Sequence, residues 1–438
     1  MRRRMGIVAG ACIALALAGA VGVTTFADTG DEGRTVGTWH DAPSAAPTTA
    51  AVEEPTAPVA PARAESGRER VGTVQQTTSR IAYGAGPQRR AFHHPRASYV
   101  KLHFDRLALL PGDYVTVGDG SGGETYRYDG LPAGRWAMSV TGDTAVLELH
   151  RAAGRVVPRG APGPLGVGVD RVARGHTPAE RATTERAAVE RATTERAAAR
   201  HATGQPVAPG RTGREETVCG SNQSVDAACY RSADPVAFTR SRAIARLLIN
   251  GTELCTGWRV SARNRMVTNN HCFDTSAEAY RTEVWFNYQC TTCGGAQALR
   301  PTKVWGEKVL VTHRTYDFTL FTVEHFDRVQ KFGYLTIDLR RPLRGEQLYV
   351  PQHPGGQPAR IAGARGETAG NCAVVDPEYD GYAANTDVSY YCDTEGGSSG
   401  SPVLSRGTDK VVALHHFGGC PNSGVRADLL YSRIKKLL

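Results

Sequence analysis

Apolar and polar residues alternate with period two over residues 98–104, 113–117 and 144–149, and the glycine- and aspartate-rich stretch 118–123 separates two of these runs. Alternation over short runs puts one face of each strand on a core, and turns at short intervals fold such strands back on each other. The pattern predicts a small antiparallel β-sandwich over residues 73–157. Short apolar runs return at 243–249, 284–286 and 411–414, which predicts a second, larger all-β unit over 217–438. Between the two units the sequence repeats itself, RATTERAAVE at 181–190 and RATTERAAAR at 191–200. These are strong helix formers with no apolar face beyond alanine, so the linker 158–216 is expected to hold a solvated helical spacer or a disordered tether. Residues 28–72 are rich in Ala, Pro, Thr, Glu and Gly. They carry too little apolar area to offset chain entropy, which predicts a disordered linker.

The amino end adds a targeting signal. Arg2, Arg3 and Arg4 precede an apolar run from Gly6 to Val23 and the small-residue stretch Thr25-Phe26-Ala27. This is the layout of a secretory signal peptide over residues 1–27. The expected product is secreted and extracellular, with no membrane association once the signal is cut. Ten cysteines are present, and all but Cys12 fall between Cys219 and Cys420. In an exported chain that clustering predicts disulfides, and nine being odd leaves one thiol over. The competing use of Cys290-x-x-Cys293 is a zinc site, but no second pair follows at ribbon spacing. No metal or cofactor is expected. The net charge of +9 comes from arginines spread through the linkers, with no basic helix or aromatic-basic strip, so nucleic acid is not an expected partner.

Three segments carry chemistry together. His271 stands in Thr268-Asn269-Asn270-His271-Cys272, Asp317 opens the strand-like Asp317-Phe318-Thr319-Leu320-Phe321, and Ser399 lies in Gly396-Gly397-Ser398-Ser399-Gly400-Ser401-Pro402. Amide hydrolysis by serine needs a base for the hydroxyl proton and an acid to hold that base's tautomer. It also needs backbone donors aimed at the developing oxyanion, and the glycines around Ser399 permit a tight turn that presents them. The order histidine, aspartate, serine matches one known scaffold for this chemistry and not the others.

On these residues, with Cys255-Thr256-Gly257 and Asn287-Tyr288-Gln289, the stretch 219–438 resembles trypsin-like serine endopeptidases, nearest the bacterial lysyl-endopeptidase branch. The resemblance implies a chymotrypsin-like fold of two six-stranded antiparallel β-barrels, here preceded by the sandwich. It makes His271 the general base, Asp317 its orienting acid, Ser399 the nucleophile, and the amides of Gly397 and Ser399 the oxyanion hole. It pairs Cys255 with Cys272, Cys219 with Cys420, Cys229 with Cys293 and Cys372 with Cys392, leaving Cys290 free. Ser398 stands where pancreatic-type trypsins carry an aspartate, so activation by insertion of a new amino terminus is not expected. The order of strands in the sandwich resembles CUB-like modules.

Substrate choice rests on four further residues. Asp393 lies six residues ahead of Ser399, at the base of the primary pocket in trypsins, and Asp428 is the nearest match to the acid that the lysyl branch supplies from a later strand. Two acids predict cleavage after Lys or Arg. His415 and His416 precede Phe417-Gly418-Gly419, and a histidine in that wall is what glutamyl peptidases use, so an acidic P1 residue is the alternative. Basic specificity would make Arg211 and Arg214 self-cleavage sites, with residues 28–214 as the pro-region of a zymogen. Proteins and peptides are the expected partners, and the sandwich leaves room for a cell-surface or glycan ligand. A catalytically silent relative that only binds proteins is the non-enzyme alternative.

Overall fold

In the computed structural model, the described residues are 34–36, 68–83, 88–130, 134–152, 165–177, 179–183, 218–219, 221–363 and 372–438. The signal peptide over residues 1–27, most of the RATTERAA repeat, and Arg211 and Arg214 lie outside them.

The amino-terminal strands are β1 (Arg34–Val36), β2 (Glu69–Arg70), β3 (Gly72–Ala82), β4 (Arg89–His93), β5 (Tyr99–Ala108), β6 (Tyr114–Gly118), β7 (Thr125–Asp129), β8 (Arg135–Trp136), β9 (Val140–Thr141), β10 (Thr144–His150) and β11 (Gly166–Gly175). They make two sheets, ordered β1-β7-β6-β10-β4 and β3-β11-β5-β8, with β9 also on β5. Val100, Leu102, Phe104, Val115, Val117, Tyr128 and Leu147 fill the space between them. Two sequence expectations are corrected here. The sandwich does not end at residue 157, because β11 lies in the stretch expected to be linker and pairs with both β3 and β5. Its three glycines and three charged residues hid a strand that is central to its sheet. The stretch 28–72 is not wholly linker either, since β1 pairs parallel with β7 and β2 pairs with β14 in the carboxy-terminal half.

The remaining strands are β12 (Val225–Asp226), β13 (Ile244–Ile249), β14 (Glu253–Arg259), β15 (Met266–Thr268), β16 (Thr282–Phe286), β17 (Thr302–His313), β18 (Phe318–Val323), β19 (Leu348–Gln352), β20 (Arg360–Ala362), β21 (Val374–Tyr379), β22 (Asp387–Tyr390), β23 (Pro402–Ser405), β24 (Val411–Phe417) and β25 (Asn422–Arg426). The order β13-β16-β17-β18-β15-β14 closes on itself through the β13–β14 pairing, which makes a six-stranded antiparallel barrel with β2 added at its edge. The second sheet runs β12-β20-β19-β23-β24-β25-β22-β21, and a bridge between Gln347 and Ala373 joins the start of β19 to the start of β21. Leu247, Met266, Phe273, Phe286 and Phe321 pack inside the first barrel, and Val350, Val374, Tyr390, Val403 and Val412 inside the second. Trp258, Leu320, Tyr349, Leu404 and Leu414 fill the seam between them. The fold is all-β, with the double-barrel architecture of chymotrypsin-like proteins. Four disulfides join Cys219 to Cys420, Cys229 to Cys293, Cys255 to Cys272 and Cys372 to Cys392, and Cys290 is a buried free thiol. With Cys293 so bonded, Cys290-x-x-Cys293 offers no pair of thiolates to a metal.

The sandwich docks on the first barrel through buried charge. Strand β5 reads as half-buried, yet its first six residues are all buried. Val100, Leu102 and Phe104 face the sandwich core, while Tyr99 and Lys101 meet the barrel. Lys101 Nζ lies 2.5 Å from Glu283 Oε1, and the same carboxylate accepts from Ser139 N at 3.0 Å, Ser139 Oγ at 2.5 Å and Trp285 Nε1 at 2.8 Å. Lys303 Nζ reaches Glu124 at 2.6 Å and stacks over the Trp285 ring at 3.9 Å. Burial alone would push the Glu283 carboxyl up, but the Lys101 and Lys303 ammoniums outweigh it and hold it below its ordinary value. Removing one member leaves an uncompensated charge away from water. Glu283→Gln is therefore expected to cost about 3–5 kcal/mol in chemical denaturation. A loss below about 1 kcal/mol, the level of an exposed pair, would show that the cluster does not hold the two units together.

Candidate active site

The first barrel sets the histidine and the acid. Strand β15 ends at Thr268, and Cys272 is tied to Cys255 on the neighbouring β14, so His271 sits in a loop pinned at both ends. Asp317 precedes β18 with φ of +43°, a left-handed backbone that an L-residue holds only when its surroundings enforce it. Asn269 Nδ2 supplies part of that enforcement by donating to the Asp317 carbonyl at 2.8 Å. Asp317 Oδ1 accepts the His271 amide at 2.9 Å and Oδ2 meets His271 Nδ1 at 2.7 Å. The opposite ring nitrogen, Nε2, lies 2.9 Å from Ser399 Oγ.

The second barrel presents Ser399 on a tight loop ahead of β23. The first barrel grips that loop: Thr256 N donates to Ser399 O at 2.8 Å and Thr256 Oγ1 to Gly397 O at 2.9 Å. Gly400 has φ of +87°, and a Cβ there would lie 2.1 Å from Thr256 O, so no other residue fits this approach. Gly397 has φ of +93°. The amides of Gly397 and Ser399 donate to no other backbone group among the described residues. The site thus holds a hydroxyl, a base within reach of it, an acid on the far side of the base, and two amides beside the hydroxyl.

Asp317 is almost fully buried, and burial alone would raise its carboxyl. The His271 and His416 rings beside it reverse that and hold it far below the ordinary carboxylate range. A carboxylate kept ionised in this way can fix one imidazole tautomer and balance a proton on the ring.

The four expected specificity residues separate. Asp428 is corrected: it lies in the first turn of the helix Ala427–Ile434 rather than on a strand, and Arg426 grips its carboxylate at 2.6 and 3.0 Å. Asp393 is buried and accepts the amides of Gln223 at 2.8 Å and Cys219 at 3.2 Å, next to the Cys219–Cys420 bridge. Desolvation raises its carboxyl above the ordinary value, against those two donors. His416 lies behind Asp317, with Nδ1 3.3 Å from Asp317 Oδ2 and Nε2 2.7 Å from Asp387 Oδ2. His415 is buried with Nδ1 2.7 Å from Tyr390 Oη, and burial together with the His416 and His271 charges pushes its imidazole down to about 3. Sequence patterns missed Asp387, Thr394 and the strand β2. Asp387 and Thr394 stand in no motif, and β2 lies inside a stretch whose composition reads as linker.

Among curated relatives, the Plasmopara viticola protein named "Secreted RxLR effector protein 73" is 38% identical over 231 residues, covering 51% of this chain and 56% of that protein. An uncharacterized protein, y4fB, of Sinorhizobium fredii is 27% identical over 192 residues, covering 41% of this chain and 28% of that protein. The chain thus spans little more than half of the first relative's length and under a third of the second's. A solved Glu endopeptidase structure is 19% identical, covering 50% of this chain and all of that one, with a TM-score of 0.36. The family model described as "Trypsin-like peptidase domain" matches residues 255–414, a stretch that contains His271, Asp317 and Ser399. Residues 255–414, within the double-barrel part of this chain, belong to a trypsin-like peptidase domain.

Proposed function

We propose that the chain is a secreted serine endopeptidase in which Ser399, His271 and Asp317 act as nucleophile, base and orienting acid. The observation that carries this is the continuous path from Ser399 Oγ to His271 Nε2 at 2.9 Å and from His271 Nδ1 to Asp317 at 2.7 Å. Ser399 Oγ attacks the scissile carbonyl while His271 takes the hydroxyl proton, and the oxyanion forms against the amides of Gly397 and Ser399. His271 then gives that proton to the leaving amine, which departs and leaves an acyl group on Ser399. Water repeats the sequence to release the acid. A chain with four disulfides suits an oxidising compartment.

For the residue before the cut, the contacts favour an acid over a base. Arg426 already neutralises Asp428, and Asp393 spends both oxygens on backbone amides. In the same segment as Asp393, Thr394 Oγ1 is buried with no hydrogen-bond partner among the described residues. A glutamate side chain would accept from this hydroxyl and draw a proton onto His415, whose neutral state burial otherwise enforces. A fluorophosphonate probe is expected to label the protein and to fail on Ser399→Ala. Asp317→Asn should lower kcat by about 10⁴. Peptides with Glu before the cut should be hydrolysed faster than those with Lys or Arg. No labelling of the wild-type protein would end the enzyme proposal, and fastest cleavage after Lys would end the acidic one alone.

The expected zymogen character has support in β2. Glu69 and Arg70 pair antiparallel with Leu254 and Glu253 on β14, the strand that also carries Cys255. Arg68 Nε donates to the His271 carbonyl at 3.0 Å, and its guanidinium reaches Glu253 at 3.1 Å and Glu278 at 2.9 Å. Glu69 packs so closely that a Cβ on Gly396, next to Gly397, would lie 2.1 Å from its Oε2. An extended peptide substrate binds by adding a strand to such an edge, and here the chain's own segment already occupies it. A segment that fills the edge nine-tenths of the time weakens apparent substrate binding about tenfold. The double variant Arg68→Ala, Glu69→Ala should therefore raise kcat/KM on long peptides by about that factor. An unchanged or lower kcat/KM would show that β2 does not compete with substrate.

A further inference from the structure

We propose that His416 and Asp387 form a positioning pair that extends the Ser399–His271–Asp317 path into the second barrel and keeps a positive charge behind Asp317. The proposal rests on the triad assignment above and adds two residues to it, neither of which touches substrate.

The geometry is a chain of five side chains. Asp317 Oδ2 sits between two imidazoles, 2.7 Å from His271 Nδ1 and 3.3 Å from His416 Nδ1. The second contact is too poorly aligned to be a full hydrogen bond and acts as a contact between charges. On the other side, His416 Nε2 lies 2.7 Å from Asp387 Oδ2, which also accepts the Ser423 hydroxyl at 2.8 Å. His416 and Asp387 are shut off from solvent. Each ring nitrogen of His416 faces a carboxylate oxygen, and a neutral imidazole offers a proton at only one of them. The arrangement therefore suits the doubly protonated, charged ring.

Every charged or titratable neighbour agrees with this. The Asp317 carboxylate comes from the start of β18 and the Asp387 carboxylate from β22, while His271 lies beyond Asp317. His415 is the adjoining residue on β24, and burial keeps it neutral, so it adds no charge. The Tyr382 ring meets the His416 ring edge-on at 5.7 Å. Burial by itself would push His416 down, but Asp387 and Asp317 outweigh it and raise the imidazole to about 9. His416 is thus charged through the neutral range and loses its proton only above it.

Two effects on catalysis follow. The cation holds the Asp317 carboxylate in place and ionised, which keeps the His271 tautomer correct. It also opposes a second positive charge on His271, which faces the same Asp317 oxygen from the other side. A pair that only glued the barrels together would have the first effect through stability and would lack the second.

The experiment has an arm that needs no turnover. In Ser399→Ala protein, the His416 ring followed by NMR should titrate well above an exposed histidine, and Asp387→Asn should bring that midpoint down. An ordinary midpoint in the Ser399→Ala protein would overturn the proposal even if the triad assignment stands. In active enzyme, His416→Gln keeps a side chain able to hydrogen bond but drops the charge. It should move the acid limb of kcat/KM to higher pH by about one unit, with KM little changed and kcat reduced. Asp387→Asn should move the limb in the same direction. An unmoved limb in a folded His416→Gln protein would overturn the proposal. Failure of the wild-type protein to react with a fluorophosphonate would count against the triad, and the NMR arm would still decide the pair.

Discussion

The carboxylate of Asp317 is the point at which the two barrels share a charge. The first barrel provides it from the start of β18 and spends one oxygen on the His271 amide. Its other oxygen faces His271 from the same barrel and His416 from β24 of the second. An ionised group this deeply buried is tolerated only when its surroundings repay the lost hydration. The repayment here comes from both barrels at once, so the seam that positions Ser399 against His271 is coupled to the charge state of the acid. The apolar seam of Trp258, Leu320, Tyr349 and Leu414 sets the distance between barrels, and the charge fixes which side chains face each other across it.

The same logic governs the amino-terminal sandwich. Glu283 on β16 takes Lys101 from β5 and Ser139 from the segment before β9, in a space with no solvent. A buried charge network seldom adds much stability over an apolar contact, but it tolerates very few alternative arrangements. It fixes the sandwich in one orientation on the barrel. Val71, at the start of the sandwich, then packs with Tyr99, Leu254 and Trp285, which sets the adjoining β2 along β14.

Legibility followed the reach of each interaction. The juxtaposition of His271, Asp317 and Ser399 could be read because of their immediate neighbours: Cys272 beside the histidine, a strand after the acid, and glycines around the serine. The alternating strands of the sandwich could be read for the same local reason. Lys101 and Glu283 could not, because β5 looks like an ordinary half-exposed strand until its second face is covered by a barrel nearly two hundred residues away. His416 was legible as unusual but was assigned to the pocket. Its partner Asp387 stands in no motif, and only the pairing of β22 with β25, and of β25 with β24, brings the two together. Strand β11 was hidden by composition, since its glycines are tolerated where neighbours on both sides supply the packing.

These contacts also bear on how a latent form would open. A cut in the linker near Arg214 separates the sandwich from the double barrel in sequence, but it breaks none of the contacts between Lys101 and Glu283 or between Lys303 and Glu124. The sandwich would remain docked, and β2, which leads directly into β3, would remain along β14. Linker cleavage alone therefore does not clear the edge. Clearing it requires either a break in the chain between β2 and β3 or competition by a substrate strand for the same backbone groups. Competition needs the pairing of Glu69 and Arg70 and the contacts of Arg68 with His271, Glu253 and Glu278 to give way, while the buried charges stay in place. The physical asymmetry is between a strap of a few exchangeable contacts and a dock sealed from water, and it makes the strap the part that yields.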